Sequence, residues 1–346
     1  MPIQPLLEQA MRAGASDLHL SVGLPPLLRL DGDIQPCDCA PLAHEEVRAL
    51  LFEIMSAAQR ETYARELELD FACTLPLPTL ARFRVNAFMQ RRGAAAVLRL
   101  IPSAIPTPAQ LGLGAVFERL CALPRGLVCV TGPTGSGKST TLAALLDHLN
   151  ATRRQHILTI EDPVEFVHTS KLSLVTQREV GRDTPSFASA LRAALREDPD
   201  VILVGELRDL DTIRLALTAA ETGHLVLCTL HTSSAAKTVD RIVDVFPGAE
   251  KALVRTLLAE SLQAVVAQVL LKREGGGRIA AHEILWCTPA IRNRIREDKV
   301  AQMYSVLQTG AQLGMQTLDQ ALKRLVEQGV VNRDDARAKA RAPETL

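Results

Sequence analysis

The sequence predicts an α/β protein in which a larger domain with a parallel sheet follows a smaller α+β domain. Short apolar runs alternate with helical stretches between residues 126 and 230, which is typical of parallel strands covered on both faces. A glycine-rich segment follows the first of these runs, at the point where a helix is predicted to begin. The length of 346 residues accommodates two domains of roughly 150 residues each.

A cluster of prolines marks the boundary between the two domains, because proline fixes φ and lacks a backbone donor. We therefore expect an N-terminal domain over residues 1–100, a linker over residues 101–110 and the larger domain over residues 111–346. From about residue 250 onward, the larger domain is expected to be mainly helical, with glycines 275–277 as a flexible turn.

Individual elements are predicted from the residue patterns. From Arg82 to Ala87, alternation with a period of two places apolar side chains on one face of a strand and both arginines on the other. The expected strands are residues 17–20, 27–30, 82–87, 95–100, 126–130, 156–160, 201–204 and 225–230. The expected helices are residues 45–65, 139–150, 187–196 and 211–222, with Asp211 as the N-cap of the last and Gly223 after its end.

The glycine-rich segment from Gly132 to Ser139 fits the pattern G-x4-G-K-[ST] between a predicted strand and a predicted helix. Backbone N–H groups of such a loop converge on phosphate oxygens, and the helix N-terminus favours the anion. Lys138 is expected to reach the β- and γ-phosphates of ATP, and the Ser139 hydroxyl to bind Mg²⁺; the alternative is a tight turn with an exposed lysine. The expected nucleotide-binding residues are Gly132, Pro133, Thr134, Gly135, Ser136, Gly137, Lys138, Ser139 and Thr140.

Two predicted strands end in carboxylates. Glu161 directly follows the strand 156–160, and Glu206 follows the strand 201–204 after one glycine. Because ligands of open α/β sheets bind outside the carboxyl ends of the strands, both acids should converge on the glycine-rich segment. Nucleotide hydrolysis needs a metal-side carboxylate and a group that orients or deprotonates water. One such acid alone is more often a solvated strand end, but two in matching places favour catalysis.

Two histidines flank the predicted strand 225–230. His231 follows its carboxyl end, where the side chain can sense a γ-phosphate. His224 precedes the strand, and its position favours a structural role.

Two pairs of arginines leave two interpretations open. Arg192 and Arg196 lie four residues apart on one helix face, and Arg84 and Arg99 lie on the two strands of a predicted hairpin. Each pair is either a solvated basic face or a set of arginine fingers that reach a phosphate in a neighbouring subunit. The residue pattern does not decide between them.

The composition disfavours nucleic-acid binding. Lys+Arg and Asp+Glu both number 39, so the net charge is zero, whereas neutralising phosphates requires an excess of basic residues. Aromatic residues make up 3%, too few for base stacking to be a main theme. The N-terminus lacks the pattern of a secretory signal, and no apolar stretch is long enough for a transmembrane helix, so we expect a cytoplasmic protein.

Several segments resemble the ATPases of type IV pilus and type II secretion systems. Gly132–Ser139 resembles their Walker A motif, residues 161–168 their Asp box, residues 195–209 their Walker B motif and residues 222–232 their His box. Segments outside the ATP site resemble them as well: residues 16–21, 81–86, 290–296 and 314–319. The family more often has Leu where Arg294 stands.

The resemblance implies a RecA-like P-loop NTPase domain, a PAS-like N-terminal domain and a homohexameric ring with ATP between the two domains. It implies Glu161 as the general base and Glu206 as the carboxylate on the side of the Mg²⁺, although the residues themselves leave the two roles interchangeable. It also favours arginine fingers at Arg84 and Arg99. The candidate catalytic residues are Glu161, Glu206, Arg84, Arg99, His231 and Arg196.

The sequence is most similar to the retraction branch of the family. It lacks the tetracysteine zinc module of type II secretion members and the long N-terminal extension of pilus extension motors. The resemblance implies that ATP hydrolysis drives an inner-membrane platform protein from the cytoplasmic face of that membrane, so that the pilus disassembles and the cell twitches. An accessory retraction ATPase paralogue is a further expected partner. The alternatives are an extension motor, a RecA-like nucleic-acid motor and a nucleotide-binding regulator without turnover.

Overall fold

The computed structural model describes residues 2–30, 32–77, 80–101 and 104–346. The chain divides into two compact units, Met1–Ala104 and Ile105–Leu346. The predicted linker over residues 101–110 includes positions 102 and 103, which lie outside the described residues. Among the residues described, no helix has both the length and the apolar character that crossing a membrane requires.

The first unit contains strands and helices that surround one apolar core. Its strands are β1 Asp17–Ser21, β2 Leu27–Leu30, β3 Asp33–Pro36, β4 Glu68–Pro76, β5 Leu80–Gln90 and β6 Gly93–Ile101. Its helices are α1 Ile3–Arg12, α2 His44–Ile54 and α3 Ala57–Glu66. The strands form an antiparallel sheet in the order β3-β2-β1-β6-β5-β4. The core takes side chains from β5, β6 and α2, among them Phe83, Leu98 and Leu51.

The predicted helix over residues 45–65 is two helices. Ser56 begins the second one, since its side chain accepts a hydrogen bond from the backbone N–H of Gln59 and caps α3. The predicted hairpin is β5 with β6, and its register places Arg84 directly opposite Arg99.

In the second unit strands and helices alternate up to Asp244, except that β8 is followed directly by β9, and a hairpin is added later in the chain. Its strands are β7 Gly126–Thr131, β8 His156–Glu161, β9 Leu174–Glu179, β10 Val201–Val204, β11 Leu225–Leu230, β12 Leu262–Lys272 and β13 Arg278–Trp286. Its helices are α4 Gly114–Cys121, α5 Lys138–Thr152, α6 Phe187–Ala194, α7 Leu210–Glu221, α8 Ala235–Asp244, α9 Lys251–Ser261, α10 Pro289–Arg296, α11 Met303–Thr309, α12 Leu318–Glu327 and α13 Arg333–Lys339.

These strands form a seven-stranded sheet in the order β13-β12-β7-β11-β10-β8-β9. All neighbouring pairs are parallel except β12 with β13. Strands β7, β10 and β11 are buried along their whole length, because helices cover both faces of a parallel sheet. The α/β class predicted from the sequence is confirmed.

In this unit one sequence prediction was incomplete and one was wrong. The region from about residue 250 contains the helices α9 to α13, as expected, but it also contains the β12–β13 hairpin, whose turn includes glycines 275–277. A continuous apolar run such as residues 262–272 has no period that separates a buried strand from a buried helix. The N-cap of α7 is Asp209 rather than Asp211, since the carboxylate of Asp209 accepts a hydrogen bond from the backbone N–H of Thr212 at 2.9 Å.

Candidate active site

The glycine-rich loop, residues 132–137, connects the carboxyl end of β7 to the N-terminus of α5. Gly132 has φ of +145°, and a Cβ at this position would collide with the carbonyl oxygen of Gln268 and approach Ser136 Oγ to 2.6 Å. Gly137 has φ of +85° at the N-cap of α5, where no side chain of the described residues caps the helix. Only glycine fits this path, and the helix N-terminus is open to an anion.

Lys138 is the first residue of α5 and folds back over the loop. Its Nζ donates hydrogen bonds to the carbonyl oxygens of Gly132 at 2.9 Å and Pro133 at 3.0 Å. Burial lowers the pKa of Lys138, and the carboxylates of Glu206 and Glu165 oppose that shift. The ammonium group is therefore held beside the loop and near the acids at the sheet edge.

The residues present fit a phosphate group and a hard cation. The hydroxyls of Thr131 and Ser136 are buried, and neither has a hydrogen-bond partner among the described residues. Both hydroxyl oxygens can therefore form hydrogen bonds with a ligand bound beside the loop. Ser139 and the strand-end glutamates supply the hydroxyl and carboxylate oxygens that Mg²⁺ prefers. Thr140 lies in the same first turn of α5.

Glu161 ends β8 and is held by two side chains. Its Oε1 accepts hydrogen bonds from Thr159 Oγ1 at 2.7 Å and from Gln177 Nε2 at 3.2 Å. Burial raises the pKa of Glu161, and these two hydrogen bonds to the charged form oppose that rise. Glu161 and Ser139 line the same cavity, which also reaches the carboxyl ends of β10 and β11 at Gly205 and Thr229.

Glu206 follows β10, the neighbour of β8 in the sheet, after the single residue Gly205. Its Oε2 is 2.7 Å from Arg208 Nη2 and 3.3 Å from His231 Nε2. Burial by itself would raise the pKa of Glu206, but the guanidinium of Arg208 and the ring of His231 outweigh it, so the pKa is lowered. The two glutamates of adjacent strands thus have pKa shifts of opposite direction.

The structure brings most of the predicted site residues together at one edge. The glycine-rich loop, Glu161, Glu206 and His231 all lie at the carboxyl ends of parallel strands. Arg196 lies elsewhere. It follows α6 and immediately precedes Glu197, whose carbonyl contacts the ring of His156 at the amino end of β8.

Arg84 and Arg99 lie in the first unit and are engaged with carboxylates of their own sheet. Arg84 Nη2 is 2.6 Å from Asp70 Oδ2, and Arg99 Nε is 2.7 Å from Asp17 Oδ1. Asp17 is only 3% exposed, whereas Asp70 is 38% exposed. The two arginines are therefore adjacent across the strands, and each has its own acidic partner.

Four side chains that contact the site were not singled out from the sequence. Thr159 and Gln177 hold Glu161, Arg208 holds Glu206, and Gln268 contacts the glycine-rich loop. Arg208 lies within the segment that resembles the Walker B motif, so its position was a usable signal. Gln268 is far from any motif, and no local pattern marks it.

A glycine-lined loop ahead of a helix, at the carboxyl edge of a parallel sheet, defines the class of phosphate-binding α/β proteins. Comparison with known proteins specifies the family. The family model described as type II/IV secretion system protein matches residues 2–276. The chain therefore belongs to the type II/IV secretion system protein family, as its motifs predicted.

Relatives and solved structures match nearly the whole chain. The type IV pilus retractation ATPase PilT of Pseudomonas aeruginosa is 64% identical over 346 residues, which is 100% of both chains. The twitching motility protein of Neisseria gonorrhoeae is 56% identical over 322 residues, 93% of this chain and 86% of its own. A crystal structure of the pilus retraction motor PilT with bound ADP matches with a TM-score of 0.90 at 47% identity, covering 100% of this chain and 99% of that one.

Proposed function

We propose that the chain is an ATP-hydrolysing motor that powers retraction of type IV pili. The observation that carries the chemistry is the convergence of the Lys138 loop, Glu161 and Glu206 at one sheet edge. The mechanical task is supported by the full-length likeness to a protein named as a pilus retraction ATPase. A structure of a similar motor with bound ADP supports a nucleotide as the ligand.

Lys138 would bind the β- and γ-phosphates of ATP together with the backbone N–H groups of the glycine-rich loop. Ser139 and Glu206 would hold Mg²⁺, which supplies positive charge to the phosphate oxygens when it is bound. Glu206 suits this role because the lowered pKa keeps its carboxylate ionised. His231, which contacts the same carboxylate, is placed to respond to the γ-phosphate.

Glu161 would act as the general base that takes a proton from the attacking water. Its raised pKa makes it the better proton acceptor of the two glutamates, since a base is most effective when its pKa approaches the working pH. The opposite pKa shifts of Glu161 and Glu206 thus support a division of roles that their positions in the sequence leave open.

Arg84 and Arg99 would act as arginine fingers that stabilise charge on the phosphates in the transition state. Their adjacency on β5 and β6 supports a joint role, since both guanidinium groups belong to one small patch of the sheet. Arg196 lies at the amino end of the parallel strands, so it would serve from a neighbouring copy of the chain rather than within its own site.

We assign residues 1–100 to a PAS-like domain, residues 101–110 to a linker and residues 111–346 to a RecA-like P-loop NTPase domain that includes the β12–β13 hairpin. The ATPase would work as a homohexamer. It would be cytoplasmic and peripheral at the inner membrane, where it would drive the pilus platform protein, with an accessory retraction ATPase as a further partner. The likeness to PilT over the full length supports this assignment.

The test has a biochemical and a cellular arm. The purified full-length chain should hydrolyse ATP with Mg²⁺, at a rate that neither DNA nor RNA raises. Deletion of its gene in the source bacterium should leave abundant pili that never shorten in live imaging. Stimulation by nucleic acid would favour a nucleic-acid motor, bald cells would indicate an extension motor, and a folded chain without turnover would indicate a regulator.

A further inference from the structure

Gln268 is a buried amide whose two ends both contact the region of the glycine-rich loop. It lies on β12, next to β7 in the sheet, and is 2% exposed. Its Nε2 donates to the carbonyl oxygen of Ser136 at 2.5 Å, and its Oε1 accepts from Thr141 Oγ1 at 3.0 Å. One side chain thus links the loop to the first turns of the helix that follows it.

The chemistry of these partners determines which way the amide faces. The Ser136 carbonyl can only accept, so the NH₂ group of Gln268 must turn toward it. The hydroxyl of Thr141 then donates to the amide oxygen on the other side. With the amide reversed, two oxygen acceptors would face each other at the loop, so the Ser136 carbonyl fixes the orientation and Thr141 completes it by donating to the amide oxygen.

This hydrogen bond determines where the next backbone donor points. In a trans peptide, the carbonyl and the following N–H point in opposite directions. Because the Ser136 carbonyl points at Gln268, the N–H of Gly137 points away from Gln268. That N–H belongs to the set of donors at the start of α5 that a phosphate would use.

The backbone of Gln268 contacts the other end of the loop. A side chain at Gly132 would collide with the Gln268 carbonyl oxygen, so β12 passes directly against the first glycine. Gln268 therefore contacts the loop at Gly132 and at Ser136, and its burial leaves little room for an alternative arrangement.

We propose that Gln268 is a positioning residue, which holds the glycine-rich loop in its phosphate-binding conformation by fixing the peptide between Ser136 and Gly137. It acts through the loop and touches no nucleotide itself. The proposal rests on the proposed function of the loop as the site of ATP binding. According to this proposal, strand β12, which lies outside every motif of the site, contributes to nucleotide affinity.

The main test replaces Gln268 by methionine, which has a similar length and volume but no amide. Gln268→Met should raise the Kd for Mg-ADP and the KM for ATP roughly tenfold, because the N–H of Gly137 is no longer held in the direction that a charged phosphate needs. Turnover at saturating ATP should change less than about threefold, since Gln268 contacts no reacting atom. If the residue only fills space, methionine will retain the wild-type affinity.

Gln263→Met provides a matched control. Gln263 is a partly buried glutamine of the same strand, and its amide oxygen accepts from Arg292 at 3.3 Å, away from the loop. This variant should keep the wild-type Kd for Mg-ADP. Equal losses of affinity in both variants would mean that any lesion in β12 weakens binding, and the specific role of Gln268 would be wrong.

Thr141→Val alone keeps the proposal testable if Gln268→Met does not fold, and a double-mutant cycle of the two changes extends the test if it does. Thr141→Val alone should weaken Mg-ADP binding by about threefold, because the buried amide oxygen of Gln268 loses its hydrogen-bond donor and the side chain is held less firmly against the loop. In the Gln268→Met background the same change should add nothing. An unaltered Kd in Thr141→Val, or full additivity of the two changes, would overturn the proposal.

Lys138→Ala separates failure of this inference from failure of the proposed function. Loss of Mg-ADP binding in Lys138→Ala with normal binding in a folded Gln268→Met would overturn the role of Gln268 alone. Normal binding in both variants would mean that this loop is not the phosphate site, and the proposed positioning role of Gln268 would then also be wrong.

Discussion

The two sheets of the molecule arrange their charged residues in different ways. In the unit Ile105–Leu346, parallel strands end at one edge, and Glu161 and Glu206 are brought there from neighbouring strands. In the unit Met1–Ala104, antiparallel strands place Arg84 and Arg99 opposite each other on the sheet, each beside a carboxylate of that sheet. A parallel edge concentrates groups that act on one ligand, whereas an antiparallel face pairs its charges locally.

The paired arginines differ in how firmly they are held. Arg84 and Asp70 are both more than a third exposed, and an exposed ion pair contributes about 1 kcal/mol or less. Asp17 is buried, so leaving it without a partner is costly, although Ser16 Oγ at 2.7 Å and Arg29 Nε at 3.8 Å also contact it. Arg84 can thus exchange its acidic partner for a phosphate at a lower cost than Arg99.

The largest effect is expected at the parallel edge, from Lys138→Ala. ATP hydrolysis should fall about a thousandfold, because the charge beside the phosphates is removed from a partly dehydrated site. Steady-state ATPase assays on the purified chain measure the loss. The matched control is Lys237→Ala, on the exposed face of the nearby helix α8, which should keep the wild-type rate. Near-normal hydrolysis in Lys138→Ala would break the assignment of this edge as the site.

Glu206→Gln should reduce turnover about a hundredfold while leaving ATP binding close to wild type. The amide keeps the shape of the side chain but cannot supply the negative charge that Arg208 and His231 surround. Single-turnover hydrolysis and equilibrium binding of ATP separate the two effects. Turnover at the wild-type rate would exclude Glu206 from the metal side of the site.

The antiparallel face allows a sharper test, because each arginine has its own carboxylate. Arg84→Ala should lower hydrolysis roughly tenfold, since Arg99 remains beside it to stabilise part of the transition-state charge. Asp70→Asn removes the same ion pair but keeps the arginine, so it should leave the rate unchanged. If both variants lower the rate equally, the ion pair matters only for the fold, and the arginine is part of a basic sheet face.

The sequence was most informative where the functional residues lie close together along the chain. The loop from Gly132 to Lys138, and the glutamates that follow β8 and β10, are each visible within a few positions of a buried strand. Their convergence could be predicted because parallel strands share one carboxyl edge.

What could not be predicted depends on strand order and register. Gln268 lies 132 residues from Ser136, and only the pairing of β12 with β7 brings them together. The pairs Arg84 with Asp70 and Arg99 with Asp17 likewise follow from register in a sheet whose strand β4 the sequence did not predict. The apolar run of β12 was itself ambiguous between helix and strand.

The smallest expected effect concerns the pH dependence of the parallel edge, and it tests Glu161 as the base. Burial raises the pKa of Glu161, while the hydroxyl of Thr159 stabilises the charged form and limits the rise. Thr159→Val removes that hydroxyl without changing the shape of a buried strand residue, so the pKa should rise further.

Because the base acts in its ionised form, acidification abolishes hydrolysis once Glu161 is protonated. A higher pKa therefore moves the acid limb of the pH–rate profile in Thr159→Val to higher pH, while the rate on the alkaline plateau changes less than about threefold. Thr176→Val removes a hydroxyl from neighbouring β9 that contacts His156 instead, and its profile should overlay that of the wild type. If the acid limb of the profile does not move in Thr159→Val, another group is responsible for that limb, and the assignment of Glu161 as the base would be wrong.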